Sequence, residues 1–253
     1  MSLPIHVALV SQSAKVTINE LSPIAAALSK QVLRDFSPVW NVRATVDVFA
    51  DGKVPPGYWP IYIKDDIGTP GAAGVHMDNH GQPYSLVQAS DDPDLSITIS
   101  HELLEMLADP FGNRMVAGNS VDPKNKQRVR YLLEVADPCE MFAYTINGIK
   151  VSDFYLPRYF DPVANHSSYS FTGALKKPLQ VAQGGYLSYI DSKGKWWQAT
   201  YFGAKLQFDG PYNWSYQTDP AQSMRSMIDR LTSERQNSEN IHKYTIVDRL
   251  SEF

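Results

Sequence analysis

The amino-acid sequence predicts an α+β protein built on a mixed β-sheet, and three patterns lead to that fold class. Residues 4–49 read as strand, helix and strand, residues 74–89 read as a β-hairpin, and residues 95–108 are mostly apolar over the length of a helix. A strand–helix–strand unit joins two parallel strands, whereas a hairpin joins antiparallel ones. The sheet should therefore contain both kinds of pairing.

Alternating apolar residues and β-rich composition predict the strands in the first part of the chain. These strands cover residues 4–10, 43–49, 58–64, 74–78 and 83–89. The last two flank an Asn-His-Gly turn at residues 79–81, which suits a hairpin. Apolar residues at helical spacing fill residues 19–36, where Asn19 or Ser22 can cap the helix and Pro23 suits its first turn.

A second helix is predicted over residues 95–108. Residues 91–94 supply carboxylates that favour a helix start, and Asp109-Pro110 followed by Gly112 should end the helix. Most of its other positions are apolar, so we expect the helix to be buried.

The remainder of the chain reads as mainly β. Residues 114–127 are polar and predict a loop. Strands are predicted at residues 129–135, 141–146, 149–156, 185–190 and 195–202, and a capped amphipathic helix at residues 219–235. A break near Phe160 predicts a core of residues 1–160, with residues 161–253 forming a β-rich C-terminal region packed on it.

Composition bounds the functions that the chain can have. Its 253 residues are 43% hydrophobic, enough for a sizeable core, and a net charge of -4 gives no reason to expect nucleic acid or a membrane surface as partner. No apolar run approaches the ~20 residues of a membrane-spanning helix. Cys139 is the single cysteine, so an internal disulfide and a Cys-rich zinc site are excluded. Residues 1–13 lack a signal-peptide pattern, which favours a cytoplasmic location.

The segment Ser100-His101-Glu102-Leu103-Leu104-Glu105 carries the clearest chemical signal. His101 and Glu105 are four residues apart and would share one helical face, so both can bind one metal ion. Glu102 stands beside them as a candidate general base. Asp109 is excluded as a further ligand, because eight residues of helix separate it from His101 by ~12 Å.

A third ligand must therefore come from another segment, and residues 133–140 are the best candidate. They place three carboxylates near the end of an apolar strand, where an unpaired carboxylate would be costly. Asp137 is favoured, since a turn at the end of a strand can direct a short side chain towards the helix. Glu134 is the alternative ligand or a support for another ligand, and His76 is a third option.

The stretch Ser100–Pro110, taken with the Glu-x-x-Asp segment at 134–137, resembles bacterial and phage-associated zincin-like proteins. The Gly-Val-His segment at 74–76 and residues 151–157 are also similar to that group, and the resemblance covers residues 72–160. It implies a zincin-like mixed sheet, zinc or another divalent metal, a peptide or protein substrate, and a cytoplasmic or phage-associated location. Glu105 stands where better-known metallopeptidases of this type carry histidine.

This reading predicts a metal-dependent hydrolase of peptide or amide bonds. Glu102 would take the proton from the attacking water and pass it to the leaving amine. The candidate donors to the oxyanion are Tyr144, Tyr155, His166 and Tyr169. The strand at residues 83–89 would bind an extended peptide by pairing along a sheet edge.

Two other interpretations compete with the enzyme. The chain can be a catalytically inactive zincin-like binding or structural module, with its aromatic C-terminal region as the contact surface. Alternatively, it holds no metal, and its carboxylates pair with Arg128, Arg130 or Arg158. Cys139 is expected to be a small buried residue and not a nucleophile, and His80 a plain turn residue.

Overall fold

The computed structural model describes residues 3–69, 71–163, 167–212, 224–225, 228 and 244–248. These residues form a mixed α and β fold with three β-sheets, which confirms the α+β class. Among them, no helix is both long enough and apolar enough to cross a membrane. Of the helix predicted at residues 219–235, Met224, Arg225 and Ile228 are described and have helical backbone; the rest lies outside the described residues.

The first sheet contains the predicted mixture of parallel and antiparallel strands. Its members are β1 (Ile5–Ser11), β2 (Ala44–Phe49), β3 (Trp59–Lys64), β4 (Gly74–Asn79) and β5 (Gln82–Gln88), in the order β2-β1-β3-β5-β4. The strands β2, β1, β3 and β5 are parallel, and β4 is antiparallel to β5. The predicted sheet edge at residues 83–89 is wrong, because β5 lies between β3 and β4. Within the described residues, β4 is the edge strand on this side.

Two further sheets come from the second half of the chain. The second contains β6 (Met115–Asn119), β7 (Arg128–Leu132), β10 (Tyr186–Ile190), β11 (Trp196–Thr200) and β12 (Gln207–Tyr212), all antiparallel. The third contains β8 (Phe142–Ile146), β9 (Ile149–Ser152) and β13 (Thr245–Ile246). The loop predicted at residues 114–127 is wrong in part, because β6 pairs with β7. Since β7 also pairs with β10, the second sheet crosses the predicted division at residue 160. The division of the chain into two regions stays a prediction.

Helix α1 (Ile18–Lys30) begins before both of the predicted caps, Asn19 and Ser22. Thr17 is the N-cap, and its hydroxyl accepts the backbone N–H of Glu20 while the Glu20 carboxylate accepts the N–H of Thr17. This reciprocal pair satisfies two N–H groups that the helix start leaves open. Asn19 and Ser22 are therefore not the cap. Pro23 lies inside the helix and not in its first turn.

Helix α3 (Leu95–Ala108) has the bounds that the sequence predicted, and it is the central element of the fold. A π-helical stretch (Gln31–Phe36) and the short helix α2 (Ser37–Trp40) complete the helices before it. Helix α3 packs against β4 and β5 on one side and β9 on another, so nearly all of its side chains are buried. Asp94 is its N-cap residue, and the Asp94 side chain pairs with Lys150 of β9 instead of accepting a hydrogen bond from the helix N–H groups.

Candidate metal centre

His101 and Glu105 face the same side of α3, as their spacing predicts. The distance from His101 Nε2 to Glu105 Oε1 is 3.4 Å. The Glu105 side chain is completely buried, whereas the imidazole of His101 keeps 12% of its surface exposed. One helical turn therefore presents a nitrogen and an oxygen to the same small space.

Asp137 enters that space from the other side. It begins a short 3-10 turn (Asp137–Cys139) that follows β7, and its Oδ1 lies 3.1 Å from His101 Nε2. The same turn holds Glu105 in place, because the backbone N–H groups of Ala136 and Asp137 both donate to Glu105 Oε1 at 3.1 and 3.3 Å. The position of Glu105 is thus fixed by main chain as well as by helix geometry.

The three donor atoms of His101, Glu105 and Asp137 lie within 4.8 Å of one another. A tetrahedral ion with bonds of about 2.1 Å requires its ligand atoms to be about 3.4 Å apart. The measured separations of 3.1 and 3.4 Å around His101 Nε2 agree with that requirement. One imidazole and two carboxylates are also a donor set that divalent metals accept, so the residues present fit a divalent cation.

His76 of β4 lies on the opposite side of Glu105. Its Nδ1 is 3.6 Å from Glu105 Oε2 and 3.7 Å from Glu102 Oε2. These three residues form a second group whose donor atoms lie within 4.8 Å of one another. His76 is therefore near the first three residues but does not join them on the same side of Glu105.

Glu102 and Glu134 flank His76. Glu102 points towards the imidazole Nδ1, as given above, and Glu134 Oε2 lies 3.8 Å from Nε2. Both carboxylates are buried, at 4% and 1% side-chain exposure. Glu134 thus lies near His76 and, through the guanidinium of Arg225, also near Asp137.

Arg225 is the functional residue that the sequence analysis missed. Its Nη1 lies 2.7 Å from Glu134 Oε2, 2.8 Å from Asp137 Oδ2 and 3.6 Å from Glu105 Oε2. Its Nη2 donates to the hydroxyl of Tyr186 at 3.0 Å. The sequence did contain a signal that Arg225 is buried. Arg225 precedes Ile228 by three residues and so falls on the apolar face of the predicted helix. A buried cation needs anionic partners.

Burial and mutual charge shift the pKa values of the group strongly. Burial alone would lower the pKa of His101, but the charge of Glu105 and the hydrogen bond of Asp137 outweigh it, so this pKa lies well above its usual value. Burial would raise the pKa of Glu105, yet His101 and Arg225 hold it well below the usual range. The pKa of Glu134 is raised well above its usual value by burial, with Glu105 and Asp137 adding to the rise.

The tyrosines among the candidate oxyanion donors differ in whether their hydroxyl already makes a hydrogen bond. Tyr155 is completely buried, and its hydroxyl has no hydrogen-bond partner among the described residues. Burial raises the pKa of this hydroxyl well above the usual value, and neighbouring charges, including that of Glu134, add to the rise. Tyr144 already donates to Asp35 Oδ2 at 2.8 Å, and Tyr169 donates to the Val163 carbonyl at 3.4 Å. His166 lies outside the described residues. Tyr155 is therefore the candidate that the structure keeps near the site.

The other residues singled out in the sequence lie apart from this centre. Asp109 accepts the backbone N–H of Arg114 at 2.8 Å and stabilises the chain after α3. Cys139 is buried, and burial raises its pKa well above the usual value, so its thiol is a poor nucleophile. Among the described residues, the ion pairs to the carboxylates of this centre come from Arg225 and the two histidines. None of these pairs comes from the arginines proposed in the metal-free interpretation: Arg128, Arg130 and Arg158.

The candidate centre is built from seven side chains of this chain. Two histidines and four carboxylates converge from α3, β4 and the segment after β7, and a buried arginine contacts three of the carboxylates. No family model, curated protein or solved structure matches the sequence.

Proposed function

We propose that this protein is a zinc-dependent hydrolase of peptide or amide bonds with a zincin-like core. The observation that carries the proposal is the convergence of His101, Glu105 and Asp137, whose donor atoms have the spacing of a metal's ligand shell. Zinc suits a site of nitrogen and carboxylate oxygen with three protein ligands, although an oxygen-rich set also suits manganese or iron.

The chemistry divides between the metal and the protein. When bound, the ion would polarise the substrate carbonyl and acidify a water molecule. Glu102 would accept the proton as the water oxygen attacks the carbonyl carbon. It would return that proton to the amine nitrogen as the C–N bond breaks.

The neighbouring residues would prepare this reaction. The backbone N–H groups of Ala136 and Asp137 orient Glu105, and Arg225 offsets part of the surrounding negative charge. Tyr155 holds a hydroxyl that is available to stabilise developing negative charge. The roles of Glu105 and Arg225 use contacts that the folded chain already makes, so little reorganisation is needed there.

The edge strand β4 offers a route for an extended substrate. It pairs with β5 on one side, and in the described residues no strand pairs with its other side. An extended peptide could add to that open edge through backbone hydrogen bonds. Because β4 also carries His76, such a peptide would lie beside the candidate centre.

Metal content and activity in matched variants test the proposal. D137N and H101Q should reduce bound zinc, measured by elemental analysis, whereas D47N changes an exposed carboxylate of β2 and should not. E102Q should retain the ion held by His101 yet lose cleavage of a peptide library by about 100-fold or more. Wild-type protein that binds no divalent metal, or metal-loaded protein that cleaves no peptide or amide, would contradict the hydrolase.

A structural metal site is a second candidate, and the burial of the centre favours it. Only His101 has more than a tenth of its side chain exposed among the residues around it. A closed site suits a metal that stabilises the fold. In that case metal removal would lower the thermal midpoint sharply, and E102Q would change no catalytic activity.

A further inference from the structure

We propose that the protein binds a second divalent cation at His76 Nδ1, Glu102 Oε2 and Glu105 Oε2, so that Glu105 bridges two ions. The second site deepens the proposed function, because it rests on a first ion held by His101, Glu105 and Asp137. It adds a ligand, His76, from a different strand.

The unsatisfied imidazole of His76 is the first observation. The residue is completely buried, and neither ring nitrogen has a hydrogen-bond partner among the described residues. A buried polar group without a partner costs free energy, and such a group in a folded protein calls for an explanation. Glu102 Oε2 and Glu105 Oε2, the atoms nearest to Nδ1, also lack hydrogen bonds.

The distances around Nδ1 indicate a cation and not an ion pair. A protonated imidazole would bond to a carboxylate at about 2.7–2.9 Å. The separations from Nδ1 are instead 3.6 Å to Glu105 and 3.7 Å to Glu102. These are close to the spacing of about 3.4 Å expected between ligands of one metal ion. The gap is therefore too wide for direct hydrogen bonds and of the right size for an ion among the three atoms.

The two oxygens of Glu105 face different histidines. Oε1 is 3.4 Å from His101 Nε2, and Oε2 is 3.6 Å from His76 Nδ1. A carboxylate that binds one ion through each oxygen is a common bridge in two-metal hydrolytic sites, where the ions are about 3.5–4 Å apart. Glu105 is completely buried and held by two backbone N–H groups, so it is already oriented as such a bridge.

The surroundings of His76 also fit a metal ligand. Glu134 Oε2 lies on the Nε2 side of the ring at 3.8 Å, which is beyond hydrogen-bond distance, so a small shift would bring this carboxylate to the position that orients a metal-binding histidine. Glu102 would bind the second ion through Oε2 and keep Oε1 for the proton transfer proposed above. The two proposals are thus compatible at Glu102.

The charge of the pocket leaves room for a second ion. With metal bound, an ionised Glu134 would pair with Arg225 at 2.7 Å, so these two charges would offset each other. The carboxylates of Glu102, Glu105 and Asp137, as metal ligands, would then carry more negative charge than one divalent cation neutralises. A second cation with one anionic ligand, such as a substrate carboxylate, would complete the neutralisation that a buried site needs.

Metal stoichiometry tests the second site directly. Full-length protein is stripped with EDTA, reloaded with Zn²⁺ or Mn²⁺, dialysed and analysed for bound metal. We expect about two ions per chain in the wild type, and about one in H76Q and in H101Q. H80Q is the matched control, because His80 is an exposed residue in the turn that follows β4, and it should bind as much metal as the wild type.

A spectroscopic measurement on the wild type avoids any dependence on how the variants fold. Two Mn²⁺ ions bridged by Glu105 should give an exchange-coupled electron paramagnetic resonance spectrum, whereas separate ions give the six-line spectrum of isolated Mn²⁺. An uncoupled spectrum at full loading would overturn the second site. A wild-type protein that binds one ion, which H76Q also retains, would overturn the second site as well. In that case the proposed hydrolase would stand. Two results would overturn both proposals. One is a chain that binds no metal, and the other is a chain that binds a single ion which only H76Q removes.

Discussion

Glu102 fills the space that a side chain at Gly74 would need. A Cβ atom added to Gly74 would lie 2.6 Å from Glu102 Cγ and 2.7 Å from its Oε1. The absence of a side chain at the first residue of β4 therefore allows the carboxylate of α3 to lie beside His76. This contact links the strand that carries one histidine to the helix that carries the other.

Replacing Gly74 with alanine should disturb the centre while the fold survives. Separations below 3.0 Å between Cβ and neighbouring atoms force movement, and the flexible Glu102 side chain is the part that can move. We expect G74A to lower hydrolysis and to weaken metal binding at His76 by about tenfold, which corresponds to about 1.4 kcal/mol. Isothermal titration would measure the affinity. The control is G118A on β6, where the added Cβ would meet the ring of Tyr131 and no residue of the two metal-binding groups. Unchanged affinity in G74A would contradict the role of the contact.

Removing the cation of Arg225 should destabilise the metal-free protein. Its guanidinium is 5% exposed and contacts Glu134 and Asp137 at 2.7 and 2.8 Å. Breaking a buried ion pair by removing one partner costs about 3–5 kcal/mol, so R225M should lose about that much free energy of unfolding in EDTA. Urea unfolding measures the loss, and saturating Zn²⁺ should restore part of it. R130M, at an exposed position of β7, should unfold like the wild type.

The stability of the metal-free protein should fall as pH rises from about 5 to 8. Burial, followed by the charge of Asp137, raises the pKa of Glu140 from 4.5 to about 8, and the pKa of His101 lies well above 6.5. In both cases the folded state binds protons more tightly than the unfolded chain. The stabilisation from His101 is complete below pH 6.5 and is lost as pH rises through its folded pKa, and Glu140 acts in the same direction between pH 4.5 and about 8.

Urea unfolding in EDTA across that pH range tests this dependence. The metal-loaded protein is the comparison, because metal and protons compete for the same groups. The stabilisation gained from added Zn²⁺ should therefore increase with pH. A metal-free protein whose unfolding free energy is constant or rises between pH 5 and 8 would contradict the pKa shifts.

The start of α1 gives a prediction that does not depend on metal. T17A removes the hydroxyl that caps Glu20 N–H, and loss of such a cap costs about 1 kcal/mol. N19A and S22A, at the two positions that the sequence favoured, should each change the free energy of unfolding by less than about 0.5 kcal/mol. Thermal or urea unfolding of the three variants would separate them, and an equal loss in N19A would argue against Thr17 as the cap.

The sequence predicted those parts of the centre that depend on local periodicity. His101 and Glu105 share a face because the helix between residues 95 and 108 is unambiguous, and Asp137 approaches them because a turn follows its strand. The second group was less accessible, because the position of His76 depends on β4 pairing with β5 at the edge of the sheet. Strand order is a long-range property, which also explains why residues 83–89 were wrongly placed at an edge.

Arg225 shows the same limit more strongly. Its contacts with Glu134 and Asp137 join residues that are far apart in sequence, and no local pattern specifies them. The cap of α1 was missed for a different reason: Thr17, Asn19 and Ser22 are all good capping residues within six positions. Only the reciprocal bond between Thr17 and Glu20 distinguishes them.

The pairing of β7 with β10 has a practical consequence for anyone shortening this chain. A fragment that ends at residue 160 would lose β10 and leave the backbone donors and acceptors on one side of β7 open to other molecules. It would also lack Arg225, so several carboxylates would remain crowded together without their counter-charge. Such a truncation should aggregate on expression, and the intact polypeptide is the right starting material for metal and activity measurements.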